Sequence, residues 1–397
     1  MLTSFIIQAG QPDHIALSWT GDPVTTMTVT WRSLDSAEGI VSWKESGVTS
    51  EVKSMQAAGT GFYTGLGSEF IYSAEIRNLK PETKYEYRVG DGKSWSSEHT
   101  FATAGGRKAV KFLVFGDSQS GLSGSKPYGA WHDTVHNAYL ANPDAGFIMN
   151  VGDLVDEGQS AAHWNAWFNA AAGVIDEIPE MAVQGNHETM GGGTRGRPVY
   201  FLSQFTLPEN GPSVLAEQAY SFDYGPLHIA VLDSQQTEEK KSGDIFTPQK
   251  AWLESDLKSG AAWKIVVFHK NPYCLKRFRS TEDVREAFCP VIEGRHADLV
   301  INGHDHGVAR TKVLRNGKAV ERPSQGTVYL TAGRSGGKIY GDLEKNSHDD
   351  FFFNPEDQPD YVVITATDAK LAVRILKQDG SLIDSFGIDK EKDSLTN

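Results

Sequence analysis

Five short segments gather side chains that can bind metal ions: Gly116-Asp117-Ser118-Gln119, Gly152-Asp153-Leu154-Val155-Asp156, Gly185-Asn186-His187-Glu188, His269, and Asn302-Gly303-His304-Asp305-His306. Their donors are carboxylates, amides and imidazoles, with no thiolate. The two cysteines, Cys274 and Cys289, lack the CxxC spacing of a zinc site and are read equally as a pair or as two buried thiols. A mixed oxygen and imidazole set suits Mn, Fe or Zn better than an all-oxygen Mg or Ca cage. The donors are too many for one ion. A pair of ions about 3.5–4 Å apart, sharing one carboxylate, would use them. Each fragment alone is weak, since a lone Gly-Asp after a strand is usually a turn and a lone His is usually a satisfied core residue. Together they outweigh that reading, because a fold has no structural need for so many polar donors at one edge.

The elements that must position them are strands. Val110–Phe115, Phe147–Val151, Ala182–Gln184, Ile265–Phe268 and Leu299–Ile301 each run directly into one of the five segments. In open α/β sheets ligands bind beyond the carboxyl ends of strands, and glycines there let backbones approach closely. Helical stretches at Ala130–Leu140, Ala161–Ile175 and Pro248–Lys258 alternate with these strands and with Leu227–Leu232 and Thr327–Thr331, which gives an α/β domain over 108–390. Tyr361–Ile388 reverts to strands around a Gly380 turn. In front, residues 1–104 hold short strands separated by turns such as Gly21-Asp22-Pro23 and Gly90-Asp91-Gly92, the pattern of a β-sandwich, closed by a hinge at Thr103-Ala104-Gly105-Gly106.

The ordered set GD, GD, GNHE, VVFH and GHDH resembles the calcineurin-like metallophosphoesterase superfamily. The front segments Pro12–Trp19 and Met27–Trp31 resemble the N-terminal, fibronectin type III-like domain of purple acid phosphatases. The resemblance implies a β-sandwich followed by a four-layer α/β/β/α domain, an α+β chain of two domains. It implies that Asp117 and His306 hold one metal, that Asp153 bridges both, and that Asn186, His269 and His304 hold the second. It further implies a hydroxide held by the metals as the attacking group and His187 as the acid at the leaving oxygen.

Two positions depart from the family pattern. Purple acid phosphatases have a Tyr three residues after the bridging Asp; here it is Asp156. Without a tyrosinate on iron no purple colour is expected, and Asp156 is assigned to orienting a ligand or water. Where relatives often place a His two residues after the first Asp, this chain has Gln119, read as a ligand through its amide oxygen. The implied reaction is hydrolysis of a phosphate ester, a monoester by preference, with phosphodiester or pyrophosphate substrates as the alternative. Substrate choice is assigned to the loops Met190–Tyr200, Asn271–Ser280 and Arg334–Asn354, in which Arg195, Arg197 and Arg334 are candidate phosphate contacts.

Competing signals are poorer. Gly333-Arg334-Ser335-Gly336-Gly337 fits G-x-S-x-G, but Gly341-Asp342 argues against the helix a serine nucleophile needs. Gly191–Gly196 fits G-x-G-x-x-G without the flanking strand and helix of a dinucleotide site. His132 and His136, spaced i, i+4, are assigned a structural role, as are Trp164 and Trp167. A non-enzymatic binding or adhesion protein would suit the sandwich domain but not an almost complete ligand set. The formal net charge of −13 argues against a nucleic-acid-binding face. No stretch is long and apolar enough to span a bilayer, and Met1–Gly10 lacks the basic start of a signal peptide, which suggests either a cytoplasmic chain or a processed, exported form. The identity of the metal pair, the oligomeric state and the compartment stay open at this point.

Overall fold

The structure is a computed structural model that describes residues 11–35, 38–49, 51–106, 109–191, 194–239 and 243–396. Met1–Gly10 therefore lies outside the described residues. The front domain has eight strands: β1 (Asp13–Ser18), β2 (Met27–Ser33), β3 (Ile40–Glu45), β4 (Lys53–Gln56), β5 (Ala58–Thr64), β6 (Gly67–Ile76), β7 (Lys84–Gly90) and β8 (His99–Ala102). They form two antiparallel four-stranded sheets, β1-β2-β6-β5 and β4-β3-β7-β8. The alternation in β2 turns Met27, Val29 and Trp31 into the sandwich core, where Trp31 stacks on Tyr72 at 5.5 Å. The other face of β2 does not meet water, as simple alternation would suggest. Thr30 bonds Thr206 at 2.9 Å, and Arg32, paired with Asp13 and Glu69, reaches Asn165 at 2.6 Å. The second domain covers that face.

The second domain continues with β9 (Ala109–Phe115), α1 (Gly129–Ala141), β10 (Ile148–Asn150), α2 (Ala161–Ala171), β11 (Glu180–Ala182), a hairpin of β12 (Met190–Gly191) and β13 (Thr194–Arg195), α3 (Val199–Gln204), β14 (Tyr220–Tyr224), β15 (Leu227–Val231), α4 (Phe246–Asp256), β16 (Trp263–Lys270) and α5 (Glu282–Gly294). Then come β17 (Leu299–Gly303), β18 (Val308–Thr311), β19 (Leu314–Arg315), β20 (Lys318–Ala319), β21 (Val328–Ala332), β22 (Asp349–Phe353), β23 (Asp360–Thr367), β24 (Lys370–Lys377), β25 (Leu382–Asp389) and β26 (Ser394–Thr396). One sheet runs β11-β10-β9-β23-β24-β25-β26 and the other β14-β15-β16-β17-β21-β18-β22.

Period-two burial shows how these sheets layer. Ile229, Val231, Ile265, Val267, Leu299 and Ile301 join the core shared with the first sheet. Their neighbours Ala230, Leu232, Val266, Phe268 and Val300 pack with Phe246, Leu253, Val284, Phe288 and Ile292 of α4 and α5. Helices α1 and α2 pack together on the first sheet. The order is therefore helices, sheet, sheet, helices, and each buried aliphatic or aromatic side chain contributes about 1.5–3 kcal/mol. The sandwich shares this core: Trp19 packs on Phe147, Phe222 and Tyr224, and His14 stacks on Phe168 at 4.4 Å. The Leu17 N–H donates to the Ile175 carbonyl at 2.9 Å and the Tyr87 hydroxyl to the Asp176 carbonyl at 2.7 Å.

Two expectations need revision, and one left even is decided. α5 was not anticipated; the helix carries Pro290 on its exposed face while Val284, Ala287, Phe288 and Ile292 make the buried stripe. The stretch expected as one helix to Ile175 ends at Ala171 and continues in turns. The cysteines do not pair: Cys274 contacts the Thr281 hydroxyl at 3.0 Å and Cys289 is a buried thiol. No helix among the described residues is long and apolar enough to cross a membrane.

Candidate metal centre

In each sheet the strands that lead into donor segments run parallel, β9-β10-β11 in one and β15-β16-β17-β21 in the other. Their carboxyl ends bring Asp117, Gln119, Asp153 and Asn186 from one sheet to His269, His304 and His306 from the other. Two overlapping groups result, Asp153-His269-His304 and Asp117-Asp153-His306, each with its ligand atoms within 4.8 Å of one another. Asp153 belongs to both. Close approach is needed here. A Cβ on Gly303 would lie 2.6 Å from an Asp117 oxygen, and one on Gly152, at φ 96°, would lie 2.7 Å from His269 Nδ1. Asp117, Asp153, His304 and His306 all have positive φ, from 52° to 75°. Asp and His tolerate that left-handed region better than most residues, and it lets the chain turn sharply at each strand end.

Hydrogen bonding leaves buried lone pairs that could hold a cation. His306 Nδ1–H donates to the Lys338 carbonyl at 2.8 Å, which leaves Nε2 as a buried lone pair without a hydrogen-bond partner, 3.2 Å from Asp117 Oδ1. His269 Nδ1–H donates to the Val151 carbonyl at 2.9 Å, and its Nε2 faces Asp153 Oδ2 at 3.2 Å, Asn186 Oδ1 at 3.3 Å and His304 Nδ1 at 3.1 Å. The Gln119 amide is satisfied when its nitrogen donates to the carbonyls of Asp117 and Asp153, at 3.2 and 2.9 Å, which turns its oxygen toward the Asp153 carboxylate. His306 Nε2 against Asp117 and the Gln119 oxygen against Asp153 are thus acceptor-to-acceptor contacts, which a bound cation would reconcile. Burial works against charge on Asp153, yet His269 and His187 beside it hold its carboxyl well below the usual range. Burial also disfavours charge on His269, but the Asp153 carboxylate outweighs it and raises the imidazole to about 9. Burial and then His269 drive His304 well below the usual imidazole value.

Other residues hold the ligands in place. Glu188, fully buried, accepts the N–H groups of Gly185, Asp153, Leu154 and Val155 at 2.7, 2.9, 2.8 and 3.3 Å, tying the second and third ligand loops together. Its place in Gly-Asn-His-Glu was visible, but its role was not. The Asp117 carboxylate accepts the His304 N–H at 2.9 Å, and Asp153 accepts the His187 N–H at 2.8 Å. Asp156 orients His187 through its main-chain carbonyl, which accepts Nδ1–H at 2.6 Å, while its carboxylate accepts the Gly121 N–H and the Tyr128 hydroxyl. With Nδ1 so engaged, His187 Nε2 accepts from the Lys338 ammonium at 3.0 Å. In this arrangement Nε2 of His187 faces Lys338, with Asp153 Oδ2 3.8 Å away.

The arginines differ from expectation. Arg334 is buried, with its guanidinium donating to the carbonyls of Pro355 and Gly336, so it braces a loop and is closed to substrate. Arg197 lines a groove with Phe62, Tyr72 and Leu202 on the sandwich side, with none of the metal-binding residues in that lining. The Arg195 side chain lies outside the described residues, as do Gly192 and Gly193. The buried Ser335 hydroxyl donates to the Asp360 carbonyl and no helix follows it, which removes the serine-hydrolase reading. That loop instead supports the centre, since Gly336 N–H donates to the Asp117 carbonyl at 3.1 Å. His136 bonds the Ala170 carbonyl, and Trp164 and Trp167 are fully buried, so all three are structural.

A family model for the N-terminal domain of purple acid phosphatases matches residues 12–103, and one for calcineurin-like phosphoesterases matches residues 110–308. The chain is similar to the Arabidopsis thaliana protein named "Probable inactive purple acid phosphatase 1", with 25% identity over 92% of this chain and 67% of that one. It is 25% identical to purple acid phosphatase 15 of the same plant over 68% of this chain and 54% of that one. It thus spans only about half to two thirds of the length of these relatives. Its fold is similar to that of purple acid phosphatase PPD1 from yellow lupin, with a TM-score of 0.83 and 20% identity over 96% of this chain and 75% of that chain. With both domains matched and the donor set assembled where the two sheets meet, the chain belongs to the calcineurin-like phosphoesterases, carrying a purple acid phosphatase N-terminal domain.

Proposed function

We propose that this protein hydrolyses phosphate monoesters with a pair of transition-metal ions, Fe, Mn or Zn. One relative bears the word inactive in its name, so family membership alone does not support turnover. The observation that carries the reading is Asp153, shared by two groups of side-chain atoms that lie within 4.8 Å of one another, one of which includes the buried His306 Nε2 that has no hydrogen-bond partner. Asp117, Gln119 and His306 would hold one ion, Asn186, His269 and His304 the other, and Asp153 both. When bound, such ions activate water near neutral pH and neutralise charge on phosphoryl oxygens. The chain supplies the positioning: Glu188 and the Asp153 and Asp117 carboxylates lock the ligand loops, and His187 stands at the Asp153 side of the centre. A phosphodiester or pyrophosphate substrate on the same centre is the alternative.

Rates on p-nitrophenyl phosphate and bis-p-nitrophenyl phosphate, with Mn, Fe, Zn or no metal added, test this. Metal-dependent turnover favouring the monoester is expected. A preference for the diester would transfer the assignment to phosphodiesters. No turnover of either ester under any metal would leave a binding protein.

A further inference from the structure

Two loops that were expected to govern substrate choice meet beside the centre. The segment after β16 and the segment after β21 pair through the backbone: Arg277 N–H donates to the Asp342 carbonyl at 3.0 Å and Glu344 N–H to the Leu275 carbonyl at 2.9 Å. They bring four cations together. Three are committed: Arg279 to Asp305 at 2.5 Å, Arg277 to Glu344 at 3.2 Å, and Lys276 to Asp342 at 3.9 Å and to the face of Tyr340 at 3.7 Å. The fourth, Lys338, is half-buried and meets no carboxylate among the described residues. Its polar partner is Nε2 of His187, at 3.0 Å. Besides that acceptor it has the face of Tyr340, with the ring centroid 5.6 Å away, so a partly desolvated ammonium there gains from an anion that completes its shell.

The placement of Lys338 is fixed by the ligand loops. Its own carbonyl holds His306 Nδ1, the preceding Gly337 N–H donates to Ser120 Oγ at 3.0 Å, and Tyr340 lies 4.3 Å from the His306 ring. Lys338 therefore links His306, from one sheet, through its carbonyl to His187, from the other, through its ammonium. It has three N–H donors, one of which is used on His187.

We infer that Lys338 is a catalytic residue that selects monoesters by binding a phosphoryl oxygen which a diester lacks, with His187 as the residue that positions it. This rests on the hydrolytic reading above. A monoester carries two negative charges over three non-bridging oxygens, whereas a diester carries one charge over two. A cation added to the Asp and His cluster has correspondingly more to act on in a monoester, and more still as charge builds on the equatorial oxygens during transfer. A lysine in Gly336-Gly337-Lys338 otherwise reads as an ordinary solvated loop residue.

The test compares wild type with Lys338→Met and Lys338→Arg in metal-loaded protein, measuring metal content, kcat/KM on both nitrophenyl esters, and inhibition by inorganic phosphate. Lys338→Met should keep its metal, lose about 100-fold on the monoester, lose only a few-fold on the diester, and be inhibited about 10-fold less well by phosphate. Lys338→Arg should recover most of the phosphate inhibition. Equal losses on both esters, unchanged phosphate inhibition, or loss of metal in both variants would overturn the assignment. If wild type turns over neither ester, the hydrolytic reading fails by itself. Calorimetric titration with inorganic phosphate then still decides for Lys338: weaker binding in Lys338→Met supports its role, and equal binding overturns it.

Discussion

The Glu188 carboxylate accepts the Asp153 N–H at 2.9 Å, and three further N–H groups converge on the same two oxygens. Burial, followed by the Asp153 charge, pushes the Glu188 carboxyl up to about 8, while the N–H donors pull it down. Removing it strands those donors. Glu188→Ala should destabilise the protein by roughly 3 kcal/mol or more, read by thermal or denaturant unfolding. Glu188→Gln turns an amide nitrogen toward N–H groups and should weaken metal affinity about 10-fold or more, read by competition with a chelator. Wild-type stability and affinity in both variants would mean that the ligand loops hold themselves.

His187→Ala should keep both metals yet slow hydrolysis, and the slowing should be similar for good and poor leaving groups. That follows from His187 Nε2 accepting from Lys338 while Nδ1–H is given to the Asp156 carbonyl. A series of aryl phosphates of graded leaving-group pKa provides the measurement. Slowing confined to poor leaving groups would instead assign His187 the acid role.

How far the sequence showed this site follows from what each residue does. Asp117, Asp153, Asn186, His269, His304 and His306 lie at strand ends, so residue type and strand order picked them out as candidates, and the family resemblance supplied the metal each would hold. Arg334 and Lys338 are both loop cations in sequence, and only the fold separates them. Arg334 ties down the carbonyls of Pro355 and Gly336, whereas Lys338 reaches His187, far away along the chain. The buried outer face of β2 was hidden for the same reason: alternation shows two faces but not that a second domain covers the polar one. α5 carries Pro290 on its exposed face, a placement that depends on the stripe formed by Val284, Phe288 and Ile292.

A second, independent feature gives the stability a pH signature. His228 is buried between Asp223 and Asp256, each 2.8 Å from a ring nitrogen. Burial opposes its charge, but the two carboxylates outweigh that and raise it from 6.5 to about 9. A raised histidine stabilises fully below its unfolded value, and the contribution is lost as pH rises through the folded value. Asp223 is 73% exposed, so solvent screens its share, and the total is on the order of 1–2 kcal/mol. Melting temperatures of wild type and His228→Gln should therefore differ most at pH 6.5 and below and converge toward pH 9. A gap constant across that range would contradict the pairing.

The most direct test of the two-metal claim is elemental analysis of wild type and Asp153→Asn after saturation with metal and desalting, with phosphatase activity measured on the same samples. Asp153 is common to both acceptor groups, so wild type should retain about two ions per chain. Asp153→Asn should retain well under one and lose turnover, while circular dichroism shows the sandwich still folded. Wild type holding no metal, or Asp153→Asn retaining two ions with full turnover, would contradict the account.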